Sequence, residues 1–195
     1  MAEVVTNINI KNINKEKFSK WFNEKLNNIY ASYENASDGY DFCVSVFDYG
    51  NFQFWEAFAF MMVQEFEEII FQGCYDIYFD DHCAYTTISC DGKEIIIKRG
   101  VSLPDYFEEF DEDDEDYEYY KEEAESLRAE FELDYDIPYL VKFSVDEAII
   151  CSKICETINN KLEDTAFVKS ICAEYKMSFE KFMQFATILK DEFSK

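Results

Sequence analysis

Hydrophobic and polar positions alternate from the start of the chain. In "EVVTNINI" (3–10), Val4, Thr6, Ile8 and Ile10 share one side and Asn7 and Asn9 fall on the other, the two-residue period of a half-buried strand. The period then lengthens. Phe18, Trp21, Phe22, Leu26, Ile29 and Tyr30 recur at helical spacing, and Asn14 stands where an N-cap belongs, so a helix is expected over 15–30. "SYENASDG" (32–39) is rich in turn-forming residues and reads as a loop, and "YDFCVSVFD" (40–48) sets Phe42, Val44 and Val46 on one face of a strand.

The next stretch fits two periods at once. "FQFWEAFAF" alternates well enough for a strand over 52–59, with "DYGN" (48–51) as a hairpin turn before it. A helix over 60–71 would follow, with Gly73 ending it. The stretch 52–71 is apolar nearly all round, which points to core; any exposed part would favour a homodimer. "CYDIYF" (74–79) reads as a strand. "CAYTTISC" and "KEIIIKRG" flank Asp91-Gly92, the signal of a hairpin closed by a type I′ turn.

Further along, Tyr117, Tyr120, Ala124, Leu127, Phe131 and Tyr135 step by three and four, an amphipathic helix with one apolar stripe and an acidic outer face. Pro138 stops it, and "YLVKFS" (139–144) is a short strand. Ser144 and Glu147 form a Ser-x-x-Glu capping box that opens a helix to about 162. Helices over 165–175 and 179–193 follow, with Ser178 as a cap for the last. The fold class is therefore α+β. A mainly antiparallel sheet with packed helices is expected over 1–104, an acidic aromatic-anchored segment over 105–137, and a helical part over 138–195, the three forming separate or continuous units.

Charge changes this picture more than any motif does. The chain has 195 residues with 42 acids and 18 bases, a net charge of −24, yet 18% of its residues are aromatic. Disordered acidic chains are poor in aromatic residues, so this one is folded and acidic together. Its surface repels nucleic acid and anionic membranes and speeds association with basic partners. Seven cysteines in no framework spacing, no secretory leader and no apolar run long enough to cross a bilayer point to a reduced, cytoplasmic protein with free thiols.

The charge is concentrated. Residues 105–136 carry 17 acids and two bases, Lys121 and Arg128, so a net of −15 of the whole −24 lies in this segment. Like charges four apart on a helix oppose folding by roughly 0.2–0.5 kcal/mol per pair, while Phe107, Phe110 and the tyrosine-leucine stripe anchor the segment to the body. Were all 32 residues helical, they would span roughly 48 Å at about 1.5 Å per residue. That is about one net charge per 3.2 Å, against one phosphate per roughly 3.4 Å along a DNA strand. The expected function is an acidic inhibitor that mimics nucleic acid and fills the basic channel of a nucleic-acid-processing enzyme. Asp111, Glu112, Asp113, Asp114, Glu115, Asp116, Glu118, Glu122, Glu123 and Glu125 would pair with its Lys and Arg.

In charge, size and lack of a catalytic motif the chain is similar to phage-encoded inhibitors of CRISPR effector nucleases and of restriction enzymes. The similarity covers composition and residues 105–136, and no family site carries over. Two alternatives use the same physics: an immunity protein that neutralises a basic nuclease toxin, or a non-inhibitory acidic scaffold for a basic protein.

Other constellations point elsewhere only weakly. Cys74, His82, Cys83 and Cys90 lie close in sequence but lack a Cys-x-x-Cys, so they read as structural thiols, as do Cys151 and Cys155 on a helix face. "DEDDEDYEYYKE" (111–122) has acids at calcium-loop positions but Asp116 where that loop needs glycine. His82, beside Asp80, Asp81 and Cys83, is the one histidine available to a catalytic arrangement, and there is no Gly-rich phosphate loop, so no enzyme, metal or cofactor is expected. Lys93, Lys98 and Arg99 make a small basic cluster on the hairpin, balanced by Asp91 and Glu94 and too small for direct nucleic-acid binding.

Overall fold

The computed structural model describes residues 3–26, 31–36, 39–46, 52–78, 83–102, 116–119, 121–122, 126, 140–159 and 161–189. Their architecture is α+β: a seven-stranded antiparallel sheet with helices layered on one face. The strands are β1 (Glu3–Lys11), β2 (Ala31–Asn35), β3 (Phe42–Val46), β4 (Ile70–Tyr78), β5 (Cys83–Asp91), β6 (Glu94–Ser102) and β7 (Leu140–Ser144), in the spatial order β2-β3-β1-β4-β5-β6-β7. The helices are α1 (Lys15–Leu26), α2 (Phe52–Glu65), α3 (Val145–Ile158), α4 (Thr165–Glu174) and α5 (Phe179–Leu189).

Register follows the hydrophobic alternation. Ile10 lies between Phe42 and Phe71, and Phe71, Cys90, Ile95 and Phe143 continue the same row across the sheet. All of these are buried beneath the helices. The opposite face carries Asn7, Asn9, Gln72, Thr87, Ser89 and Lys98, none of them buried. A one-residue slip in any strand would exchange these two sets, which is why the register is well specified.

The stretch 52–65 is helical, not a strand followed by a helix. Its residues from Glu56 to Phe60, with Met62 and Val63, are buried on every side. α2 lies between the sheet and the C-terminal helices: Phe60 meets Phe143 of β7 and Phe185 of α5, with ring centroids 5.3 and 4.7 Å apart. A helix covered all round needs no polar face, so its sequence loses the 3.6-residue signature. Each such phenylalanine contributes about 1.5–3 kcal/mol through burial. The expected DYGN turn lies outside the described residues, but a helix from Phe52 leaves no second hairpin strand for it to join.

Residues 32–35, expected within the loop 32–39, belong to edge strand β2, and the reason is Tyr33. Its ring stands edge-on to Phe18, Phe22 and Phe42, at 5.5, 4.8 and 5.2 Å, while Ser32 and Glu34 point to solvent. One inward aromatic ring is enough to hold an edge strand whose other residues are polar. Gly73 does not terminate a helix. It sits in the middle of β4 opposite Ile8 and Ile88, where a Cβ would lie 2.3 Å from the Asn7 carbonyl oxygen and 2.7 Å from the Ile8 Cα. Only glycine lets β1 and β4 approach this closely.

The caps follow the sequence. Asn14 Oδ1 accepts the Lys17 N–H at 2.9 Å, and Ser178 Oγ accepts the Lys181 N–H at 3.3 Å. Ser144 and Glu147 complete the reciprocal capping box, and α3 stops at Ile158 because Asn159 adopts a left-handed conformation, φ 45°. At the β5–β6 turn Gly92 has φ +88°, while Lys93 keeps a negative φ. The turn therefore passes through one left-handed residue, not the two of a type I′ turn. No helix among the described residues is long and apolar enough to cross a membrane.

Candidate functional site

In the chain the acidic segment lies between β6, which ends at Ser102, and β7, which begins at Leu140. The two flanking strands are neighbours, with Leu140 opposite Lys98, four residues before β6 ends. Within the segment, residues 116–119, 121–122 and 126 are helical, in the span where the aromatic stripe predicts an amphipathic helix. Tyr117, a stripe residue, is half-buried, whereas Tyr119, which lies off the stripe, is 63% exposed. Asp116, Glu118 and Glu122 are exposed. Lys121 Nζ lies 3.6 Å from Glu118 one turn back, a surface pair that adds little. Asp111, Glu112, Asp113, Asp114, Glu115, Glu123 and Glu125 lie outside the described residues, as do Phe107, Phe110, Tyr120, Ala124, Leu127, Phe131 and Tyr135. So does half of the stretch 111–122 considered as a calcium loop.

Several bases of the body are matched locally. Lys17 lies 2.9 Å from Glu65, Lys181 2.7 Å from Glu147, and Lys15 and Lys20 each 3.9 Å from Asp41 and Glu24. Burial alone would raise the Glu147 carboxyl, but hydrogen bonds from Lys181 and the Ser144 backbone outweigh it and hold it below its usual range.

Arg99 does not belong to a surface basic cluster. It is 1% exposed, and its Nε donates to Glu56 Oε1 at 2.6 Å while its Nη2 donates to Glu56 Oε2. Glu56, on α2, is fully buried; burial pushes its carboxyl up against the opposing pull of the guanidinium. Sequence signals for this pair exist. Arg99 follows Ile95 and Ile97 at a two-residue period, which places it on the inward face, and Glu56 is the one charge in "FQFWEAFAF".

Two of the cysteines considered together in sequence lie on opposite faces of the sheet. Cys90 is buried on the helix-covered face, while Cys74, three residues from Phe71 opposite it, faces the open side of the sheet. His82 lies outside the described residues, and nothing is described of the Cys83 side chain. No group of three or more His, Cys, Asp or Glu suited to a metal occurs among the described residues. Cys151 and Cys155 pack between helices, where burial pushes both thiols up to about 12, so they are inert at neutral pH.

No protein-family model matches this chain, and neither does any curated protein or solved structure.

Proposed function

We propose that this chain is a non-catalytic inhibitory protein whose acidic segment mimics nucleic acid. In this reading the segment occupies the basic channel of a nucleic-acid-processing enzyme, as phage anti-CRISPR and anti-restriction proteins do. One observation carries the proposal: 17 acids against two bases in residues 105–136, in a segment helical at 116–119 with Asp116 and Glu118 facing solvent and Tyr117 turned inward. A carboxylate array held on an anchored helix presents charge at fixed spacing, which a disordered tail does not. Binding releases the counterions condensed on both surfaces, so affinity falls steeply with salt. The segment is tethered to two adjacent strands of the sheet, which limits the entropy lost on docking.

The test is capture of partners from nuclease-containing bacterial lysates at low and high salt. Wild-type chain is compared with a variant in which Asp111 to Asp116 are converted to their amides. A basic nucleic-acid enzyme retained by wild type at low salt, released at high salt and lost by the variant is the expected result. Equal capture by both chains would move the interface off the acidic segment. A captured enzyme that stays fully active in the complex would make the chain a scaffold, and a single neighbour-encoded toxin would make it an immunity protein.

A further inference from the structure

We propose that the buried Glu56–Arg99 pair is a rotational pin: it selects one seating of α2 in the core and, through α2, the placement of the C-terminal helices on the sheet. The inference concerns the body of the molecule and does not depend on the function proposed for the acidic segment.

The sequence of α2 gives burial little to choose by. From Phe54 to Val63 every residue except Glu56 is apolar, nearly three turns of helix. An amphipathic helix is oriented by its polar face, which must reach water. Here Glu56 to Phe60, Met62 and Val63 are all buried, the one charge among them. Two sides of the helix are also alike. Phe58 meets Trp21 of α1, with ring centroids 5.8 Å apart, while Phe60 meets Phe143 and Phe185. Two residues apart, these rings point about 160° away from each other. Turning the helix to exchange the two sides keeps apolar area buried and gives up shape complementarity, which cores rebuild at modest cost.

The charge removes this freedom. The same turn swings Glu56 away from β6 towards the α1 side. Among the described residues the other buried polar side chains are Thr86 and Arg99, so Arg99 is the one base beneath the helices that Glu56 can meet. The contact is directional: Nε donates to Oε1 at 2.6 Å and Nη2 donates to Oε2. Two bonds from a planar fork fix rotation as well as distance. Apolar contacts do not, because burial has no preferred direction.

Stability alone does not account for the pair. An apolar pair of similar volume serves a core as well or better. What it does not do is reject the alternatives. Every other seating of α2 strands two desolvated charges, which disfavours it by roughly a hundredfold or more. A single polar residue in a coiled-coil seam sets register by the same logic. The selection is passed on. α2 packs on the sheet at β5 and against α3 and α5. Glu56 and Phe60 lie one turn apart, so the rotation fixed at Arg99 also fixes where Phe60 meets Phe143 of β7 and Phe185 of α5.

The test is the amide spectrum of the isotope-labelled full chain, recorded beside its denaturant midpoint. Glu56→Leu with Arg99→Met removes both charges and keeps the volume. This variant should hold most of the wild-type stability, yet show split or broadened peaks at 56–63, 141–143 and 182–189. The second set should reach about a tenth of the intensity, while β1 and β4 keep single peaks, as all these elements do in wild type. One sharp set throughout the variant would overturn the proposal, since apolar shape alone would then seat α2. So would splitting already present in wild type, or splitting spread equally over β1 and β4. If the double variant does not fold, Arg99→Lys decides. It keeps the charge and loses the planar fork, so the same residues should split; an unsplit spectrum would overturn the proposal.

Discussion

Two helical regions of this molecule use carboxylates in opposite ways. α2 holds Glu56 with zero exposure inside a phenylalanine-rich core, gripped by Nε and Nη2 of the Arg99 guanidinium. The helical residues around 116–122 hold Asp116, Glu118 and Glu122 in solvent, with Lys121 as the nearby base. The amino acids are equivalent; their surroundings are not. In the core a carboxylate is tolerated only with a fixed partner, because water no longer solvates it, and it then locks α2 to β6. At the surface water screens each charge, so carboxylates accumulate at modest cost and are available to an outside partner.

The largest effect should come from breaking the buried pair. Glu56→Ala or Arg99→Ala strands the remaining charge and is expected to lower unfolding stability by about 3–5 kcal/mol, measured by denaturant titration. Replacing both with Leu and Met should restore most of that loss; if the double variant stays as unstable as either single one, the pair is not what locks α2.

Gly73→Ala comes next. It tests whether the close approach of β1 and β4 is obligatory, and it should cost about 1–3 kcal/mol through overpacking.

A smaller effect belongs to the α3 cap. Ser144→Ala should cost about 1 kcal/mol. The pH dependence here has a definite sign: Glu147 is held below its usual value in the folded state, so its stabilisation is present above the unfolded carboxyl pKa and is lost as pH falls through the folded one. Lys181→Met should flatten that acid limb, which thermal unfolding between pH 7 and pH 2 would reveal.

The smallest change in stability should follow conversion of Asp116, Glu118 and Glu122 to amides. It should stay within about 0.5 kcal/mol and be favourable at low salt. A large loss there would mean that these carboxylates are structural after all, and the contrast with Glu56 would disappear.

Several features were legible before any coordinates because they depend on neighbours in sequence. The alternation of β1, the seam of α1, the Asn14, Ser144 and Ser178 caps and the hairpin at Gly92 each rest on interactions within a few residues. The concentration of charge in 105–136 is likewise a property of the chain itself. Other features depended on residues far apart. "FQFWEAFAF" alternates like a strand and lacks a polar helix face, and the cover supplied on all sides by the sheet, α3 and α5 settled it as helix. β2 exists because Tyr33 reaches the Phe18–Phe42 cluster. Gly73 reads locally as a stop, and the crowding of Ile8 makes it a mid-strand requirement. Arg99 and Glu56 stand 43 residues apart, and their pairing comes from the packing of α2 on the sheet at β5, within reach of Arg99 on β6. Local backbone preference and charge are carried by the sequence alone. Burial is a property of what lies across the core, and so tertiary structure decided which charges became locks and which stayed at the surface.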